Sequence, residues 1–145
     1  MPEVSIPLPD TGPILDVIIR PCERQTKRLQ DAGLPIPPAL PIKAMIDTGG
    51  ARSIISWGIA GTLKAMNGFD YHALGQKQKL KTKAYELEVS VRHPDHQNHW
   101  IPLEAGTSPI AGTGVDILLG RDFLKHFKLT YDGPKGEATI QWEDK

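Results

Sequence analysis

The sequence predicts a mainly β domain with one short helix near its C-terminus and one or two further short helices. Three observations lead there. The 145 residues fit one domain of the usual roughly 100–200 residues. Glycine occurs 14 times and proline 13, a density of turn formers that favours short strands over a helical bundle. Tyr85 to Val91 alternates polar and apolar residues with its apolar side at odd numbers, the pattern of a half-buried strand.

In chain order, residues 1–13 form an extended N-terminal segment with prolines at 2, 7, 9 and 13 and a turn at Asp10-Thr11-Gly12-Pro13. The β-branched run Ile14 to Ile19 opens a single domain over 14–145 as a mostly buried strand. Residues 21–41 read as an insertion between two strands. Its first part, Cys22 to Ala32, is a short charged helix ending near Gly33, and Pro35, Pro37, Pro38 and Pro41 forbid regular structure afterwards. Ile42 to Ile46 is a strand running into Asp47-Thr48-Gly49-Gly50; Ser53 to Ser56 resumes the apolar run, and Ile59 to Met66 is a short helix. Lys77, Lys79, Lys81 and Lys83 alternate, which on a strand makes a solvated charged face. Trp100 to Leu103 pairs with the Tyr85–Val91 strand. Val115 to Leu119 is a buried strand ending at Gly120, and Arg121 to Phe127 has helical spacing. Asp132 to Gly136 turns a hairpin whose closing strand is Thr139 to Trp142.

Several function classes fall away. Lysine plus arginine and aspartate plus glutamate both number 17, so no basic excess supports nucleic-acid binding. The single Cys22 excludes an internal disulfide framework and reads as an ordinary thiol. No apolar run reaches the ~18–20 residues of a membrane span. The opening Met1-Pro2-Glu3-Val4 lacks a secretory layout, so a soluble cytoplasmic protein is expected. His93-Pro94-Asp95-His96-Gln97-Asn98-His99 gathers donors on one short loop without the second arm of a closed metal site, and reads as a polar hairpin loop. Gly112-Thr113-Gly114 lacks the strand and helix of a dinucleotide fingerprint. No metal or cofactor is expected.

The informative element is Ala44-Met45-Ile46-Asp47-Thr48-Gly49-Gly50-Ala51-Arg52-Ser53. A carboxylate placed directly after a buried strand is costly unless hydrogen-bonded, and following glycines let backbone N–H groups come close to it. A strand-ending turn would use the same residues, and Asp10-Thr11-Gly12, which follows Pro7-Leu8-Pro9, is such a plain turn. Asp47 has company, however. About 70 residues later comes Val115-Asp116-Ile117-Leu118-Leu119-Gly120-Arg121-Asp122-Phe123-Leu124.

This pair of motifs resembles the retropepsin-like (retroviral-type) aspartic proteases, particularly their stand-alone bacterial members. The tail Lys128-Leu129-Thr130-Tyr131-Asp132-Gly133-Pro134-Lys135-Gly136 is similar to their Tyr-Asn/Asp-Gly hairpin. The likeness spans roughly residues 14–142, with 21–41 unmatched. It implies a closed acid-protease barrel in which each subunit of a homodimer gives one catalytic Asp47, the two activating water for hydrolysis of a polypeptide. Thr48 would bond across the two-fold axis and Gly49 would admit substrate and partner backbone. Val115–Leu119 would pack beneath the Asp47 loop, supported by Gly120 and Arg121 with Asp122 completing the second motif. Gly50 stands where the family usually has Ala. Ala51 and Arg52 replace the acidic residue that pairs with the motif arginine in retroviral members, and Ser53 matches the cellular and bacterial relatives. The flap would be Ala73 to Leu80. A non-catalytic dimerisation or peptide-binding module on the same fold is the alternative, with a small metal- or nucleic-acid-binding β domain behind it.

Overall fold

Pairing of short β-branched runs builds the molecule. The computed structural model describes residues 1–63, 66–72, 81–108 and 114–143. Its elements are β1 (Glu3–Pro7), β2 (Ile14–Pro21), α1 (Glu23–Asp31), β3 (Leu40–Ile46), β4 (Ile54–Ile55), α2 (Trp57–Thr62), β5 (Met66–His72), β6 (Lys81–Val91), β7 (Ile101–Thr107), β8 (Ile117–Leu119), α3 (Arg121–Leu124), β9 (Lys128–Asp132) and β10 (Glu137–Gln141).

The larger sheet runs β2-β3-β8-β4-β7-β6-β5, and a further β2–β6 pairing closes it into a barrel from which β5 projects. The long β6 makes closure possible. One of its edges takes β7, while the other is shared between β5 over 81–86 and β2 over 87–91. Because strand side chains alternate, Leu15, Val17 and Ile19 of β2 face inward with Leu87 and Val89 of β6. They meet Ile55, Ile117, Leu119 and Phe123 in one buried core. The period-two segment at 85–91 therefore lies where its pattern points, and Leu87↔Leu103 and Val89↔Ile101 form the expected pairing with the next strand.

A second sheet has the order β1-β10-β9. Residues 3–7 are extended, and they are also paired along β10, with Val4 opposite Ile140 and Ile6 opposite Ala138. Ile6, Ala138, Ile140 and Trp142 join the main core.

Two helices differ from their sequence pattern. The one expected over 59–66 spans Trp57–Thr62, because Met66 is taken into β5 opposite Glu86. The last helix stops at Leu124 instead of Phe127, where the chain tightens so that Phe127 N–H bonds the Leu124 carbonyl and Lys128 enters β9. The α1 segment forms as expected, with the Cys22 sulfur accepting from Gln25 N–H at its start. The candidate flap Ala73–Leu80, with Lys77 and Lys79, lies outside the described residues, as do Gly112 and Thr113. Lys81 and Lys83 belong to β6. Among the described residues no helix is long and apolar enough to cross a membrane.

The β2–β3 hairpin register positions the insertion. Ile14 pairs with Met45 beside Asp47, whereas Ile19 pairs with Leu40 at the opposite end. Helix α1 and Pro35, Pro37 and Pro38 leave from that opposite end, whereas Pro21 and Pro41, expected in the irregular insertion, lie in β2 and β3, with Pro41 opposite Ile18.

Candidate active site

Asp47 leaves the sheet where two parallel neighbours end together, since β3 and β8 are paired up to Ile46↔Leu119. Its N–H donates to the Leu119 carbonyl at 2.9 Å, and the Ile46 N–H donates to the Pro13 carbonyl at 3.0 Å. The carbonyl of Asp47 accepts from Gly50 N–H at 3.2 Å, closing a tight turn. Asp47 is half-buried, while Thr48 and Gly49 are exposed. Gly50 lies tight against the carboxylate, and Gly49 stands at ordinary contact distance from it. A β-carbon on Gly49 would lie 3.5 Å from Asp47 Oδ1, and one on Gly50 would lie 2.9 Å from Oδ2. The carboxylate is thus folded over its own loop, in space that the bare glycines leave open.

The second motif grips this loop from the other side. A β-carbon on Gly120 would come within 2.8 Å of both the Gly50 carbonyl oxygen and the Arg52 carbonyl carbon, so only a hydrogen fits there. Arg121 N–H donates to the Gly50 carbonyl at 2.8 Å, and Arg121 Nη1 donates to the Thr48 carbonyl at 3.0 Å. The acceptor of this arginine is therefore a backbone oxygen of the Asp47 loop.

Ser53 and Asp122 complete the clamp. Both oxygens of Asp122 accept from Ser53 N–H at 3.0 Å, and Oδ1 also accepts from Ser53 Oγ at 2.7 Å and Phe123 N–H at 2.9 Å. Ser53 Oγ in turn accepts from Gly120 N–H at 3.0 Å. Ser53 is fully buried, so these bonds satisfy polar groups that would otherwise be costly. The Ser53 carbonyl accepts from Gly106 N–H at 2.9 Å, which ties the loop to β7. Asp47, Thr48, Gly49, Gly50, Ser53, Gly120, Arg121 and Asp122 are all brought into this single assembly.

Two contributors were absent from the sequence reading. The carbonyls of Leu119 and Pro13 hold the strand end that carries Asp47, and a backbone acceptor leaves no mark in a side-chain pattern. The first Asp-Thr-Gly is a turn, with Gly12 N–H bonded to the Pro9 carbonyl at 2.9 Å and φ at 110°. That turn abuts Met45, two residues before Asp47. The histidine loop lies elsewhere, with His93 edge-on to His96 and Trp142. Among the described residues, no three His, Cys, Asp or Glu side chains are placed to hold a metal ion.

No protein-family model matches the chain, and no curated protein does. Solved structures do. A retropepsin-like aspartic protease from Rickettsia conorii superposes with a TM-score of 0.60 at 18% identity, over 97% of this chain and 91% of that one. The retroviral protease-like domain of Ddi1 from Leishmania major gives 0.48 at 15% identity, over 88% of both chains. The Rickettsia likeness, covering nearly the whole chain, shows a retropepsin-like fold.

Proposed function

We propose that this chain is an aspartic endopeptidase whose active centre forms between the Asp47 carboxylates of two copies. The observation that carries this reading is the grip of Gly120, Arg121 and Asp122 on the Asp47 loop, which holds the backbone of half-buried Asp47 at the end of paired strands. The retropepsin-like fold supports it.

One protomer contributes one such carboxylate, and the aspartic-protease mechanism uses a pair. Brought together across a two-fold axis, two carboxylates share one proton, because like charges that close resist joint ionisation. The ionised one takes a proton from a bound water as that water attacks the scissile carbonyl. The protonated one donates to the carbonyl oxygen, giving a tetrahedral diol. Transfer of a proton to the departing nitrogen then breaks the C–N bond, and the shared proton returns to the pair. Arg121 and Asp122 hold the loop, and neither needs to touch substrate.

The test is cleavage of a diverse peptide library by wild-type protein and by Asp47→Asn. The substitution is expected to lower turnover by at least about 10³-fold, within the range of general acid–base catalysis, with the folded dimer retained. Undiminished turnover by pure Asp47→Asn protein overturns the assignment. A proven dimer that neither cleaves the library nor binds a statine-type inhibitor supports the non-catalytic peptide-binding module instead.

A further inference from the structure

We infer that Leu34-Pro35-Ile36-Pro37-Pro38, in the insertion between β2 and β3, is a docking ligand for a partner protein with an aromatic-lined groove for polyproline II segments. The inference stands apart from the Asp47 reading and gives a role to a segment which that reading leaves unused.

Conformation comes first. Each of the five residues is a proline or precedes one, except Pro38, which is itself the last proline of the run. The proline ring holds φ at about −65°, and a residue before proline is pushed away from helical angles. The run therefore follows an extended, left-handed path with about three residues per turn, and neither helix nor strand forms over 34–39. Both ends are fixed. At the end of α1, Gly33 N–H (φ 66°) donates to the Gln30 carbonyl and Leu34 N–H to the Leu29 carbonyl, the paired bonds of a Schellman cap. At the far end Leu40 enters β3 opposite Ile19. A ligand held this way loses little conformational freedom when it binds.

The run also keeps apolar surface in water. After such a cap, the residue beyond the glycine usually packs over the residue that accepts its N–H. Leu29 is buried, yet Leu34 stays 52% exposed, and Ile36 is 41% exposed. With three residues per turn, Leu34 and Pro37 share one ridge, Pro35 and Pro38 a second, and Ile36 and Ala39 a third. Of these six only Pro37 is half-buried, and the rest are exposed. Two complete ridges thus face outward side by side.

The chemistry of the run selects its partner. Pro35, Pro37 and Pro38 have no N–H, so a sheet edge or a second copy cannot pair with it as a strand. Ala32 to Ile42 contains no charged residue, which leaves nothing to neutralise a phosphate backbone. What remains is apolar ridges flanked by carbonyl oxygens that a polyproline II backbone does not bond internally. Aromatic side chains fill the furrows between such ridges, and the indole N–H and phenol O–H on the same rings can donate to those carbonyls. An apolar–proline pair, Leu34-Pro35, recurs three residues later as Pro37-Pro38, the repeat that grooves for P-x-x-P segments accept. The segment leaves the hairpin at the end away from Asp47, so a partner held there leaves the candidate active site open.

Titration of the full chain with a panel of SH3, WW and EVH1 domains, followed by methyl and amide NMR shifts, tests this. At least one domain is expected to shift the Leu34 and Ile36 methyl signals saturably, and a proline-rich reference peptide is expected to displace the chain from it. Pro35→Ala/Pro38→Ala is expected to weaken that binding at least about tenfold, as loss of a central contact does, with the fold and any cleavage of short peptides retained. Leu34→Ser/Ile36→Ser keeps every proline and is expected to weaken binding as much. A panel in which no domain binds overturns the inference, as does binding that shifts other residues and is indifferent to both double variants. Association with phosphatidylcholine vesicles, or self-association, that Leu34→Ser/Ile36→Ser removes while no domain binds shows a different occupant and also overturns it. Asp47→Asn is expected to bind the panel like wild type. Domain binding in a protein that cleaves nothing supports the docking ligand while the peptidase reading fails, and cleavage without domain binding does the reverse.

Discussion

Ser53 and Asp122 lie 69 residues apart in sequence and share a compact hydrogen-bond set, with Ser53 Oγ 2.7 Å from Asp122 Oδ1 and Ser53 N–H 3.0 Å from both carboxylate oxygens. Serine supplies donor and acceptor together, and here it passes one bond on to Gly120 N–H. The contact welds the start of β4 to the start of α3, with the Asp47 loop held between them.

Removing the carboxylate takes the acceptor from the buried Ser53 N–H and hydroxyl, while Phe123 N–H keeps the Gly120 carbonyl at 3.1 Å. Asp122→Ala is therefore expected to cost roughly 2–3 kcal/mol, the scale of charged hydrogen bonds and stranded buried donors. Asp122→Asn, which keeps an acceptor oxygen, should lose clearly less. Thermal unfolding of the two variants checks this; equal melting temperatures would show that the carboxylate does not carry the clamp.

Two glycines facing the same loop should respond differently to a methyl group. On Gly120 it meets backbone at 2.8 Å, which cannot yield without moving the loop. Gly120→Ala is expected to destabilise by about 1–3 kcal/mol, as overpacking does, and to lower activity with stability. On Gly50 it meets Asp47 Oδ2 at 2.9 Å, the end of a side chain that can rotate. Gly50→Ala should keep stability within about 1 kcal/mol and turnover within about tenfold. Chemical denaturation and peptide-cleavage rates on both variants separate the cases.

The proposed shared proton sets the pH profile of kcat/KM. Raising the pH ionises both Asp47 carboxylates and removes the donor to the carbonyl oxygen. Lowering it protonates both and removes the base. A bell centred on acidic to mildly acidic pH is expected. A rate that climbs steadily into the alkaline range would point to a different nucleophile or base.

Much of this arrangement could be read from local pattern. Leu87, Val89 and Val91 declare an inward face through period two, and apolar runs that stop at Asp47 and at Gly120 mark the strand ends that meet at the site. What stayed hidden was non-local or made of backbone. Pro2 and Pro7 imply extension, but nothing near them names β10 as partner, 138 residues away at Glu3 and Gln141. The Thr48 carbonyl that receives Arg121 has no side-chain signature. Ser56 begins α2 without a capping bond from its side chain, so the usual start signal is missing. How far from Asp47 residues 22–39 start depends on the hairpin register, which sequence alone does not print.

That register makes the last prediction. From Ile14↔Met45 to Ile19↔Leu40 the hairpin advances five residues, about 17 Å at ~3.4 Å per residue, so α1 and its prolines start far from Asp47. What they contribute is local. Leu29 is buried, and Arg24 pairs with Glu86 on the surface, an interaction of the kind worth at most about 1 kcal/mol. Replacing residues 22–39 with a short Gly-containing turn should therefore cost roughly the burial of one leucine, about 1.5–3 kcal/mol. A shorter loop offsets part of that cost through its lower closure entropy. Peptide cleavage per folded molecule should change by less than about threefold, since no bond of the loop clamp involves the excised segment. Loss of cleavage in a variant that still folds and dimerises would mean that the insertion reaches the substrate, against the geometry of the hairpin that carries it.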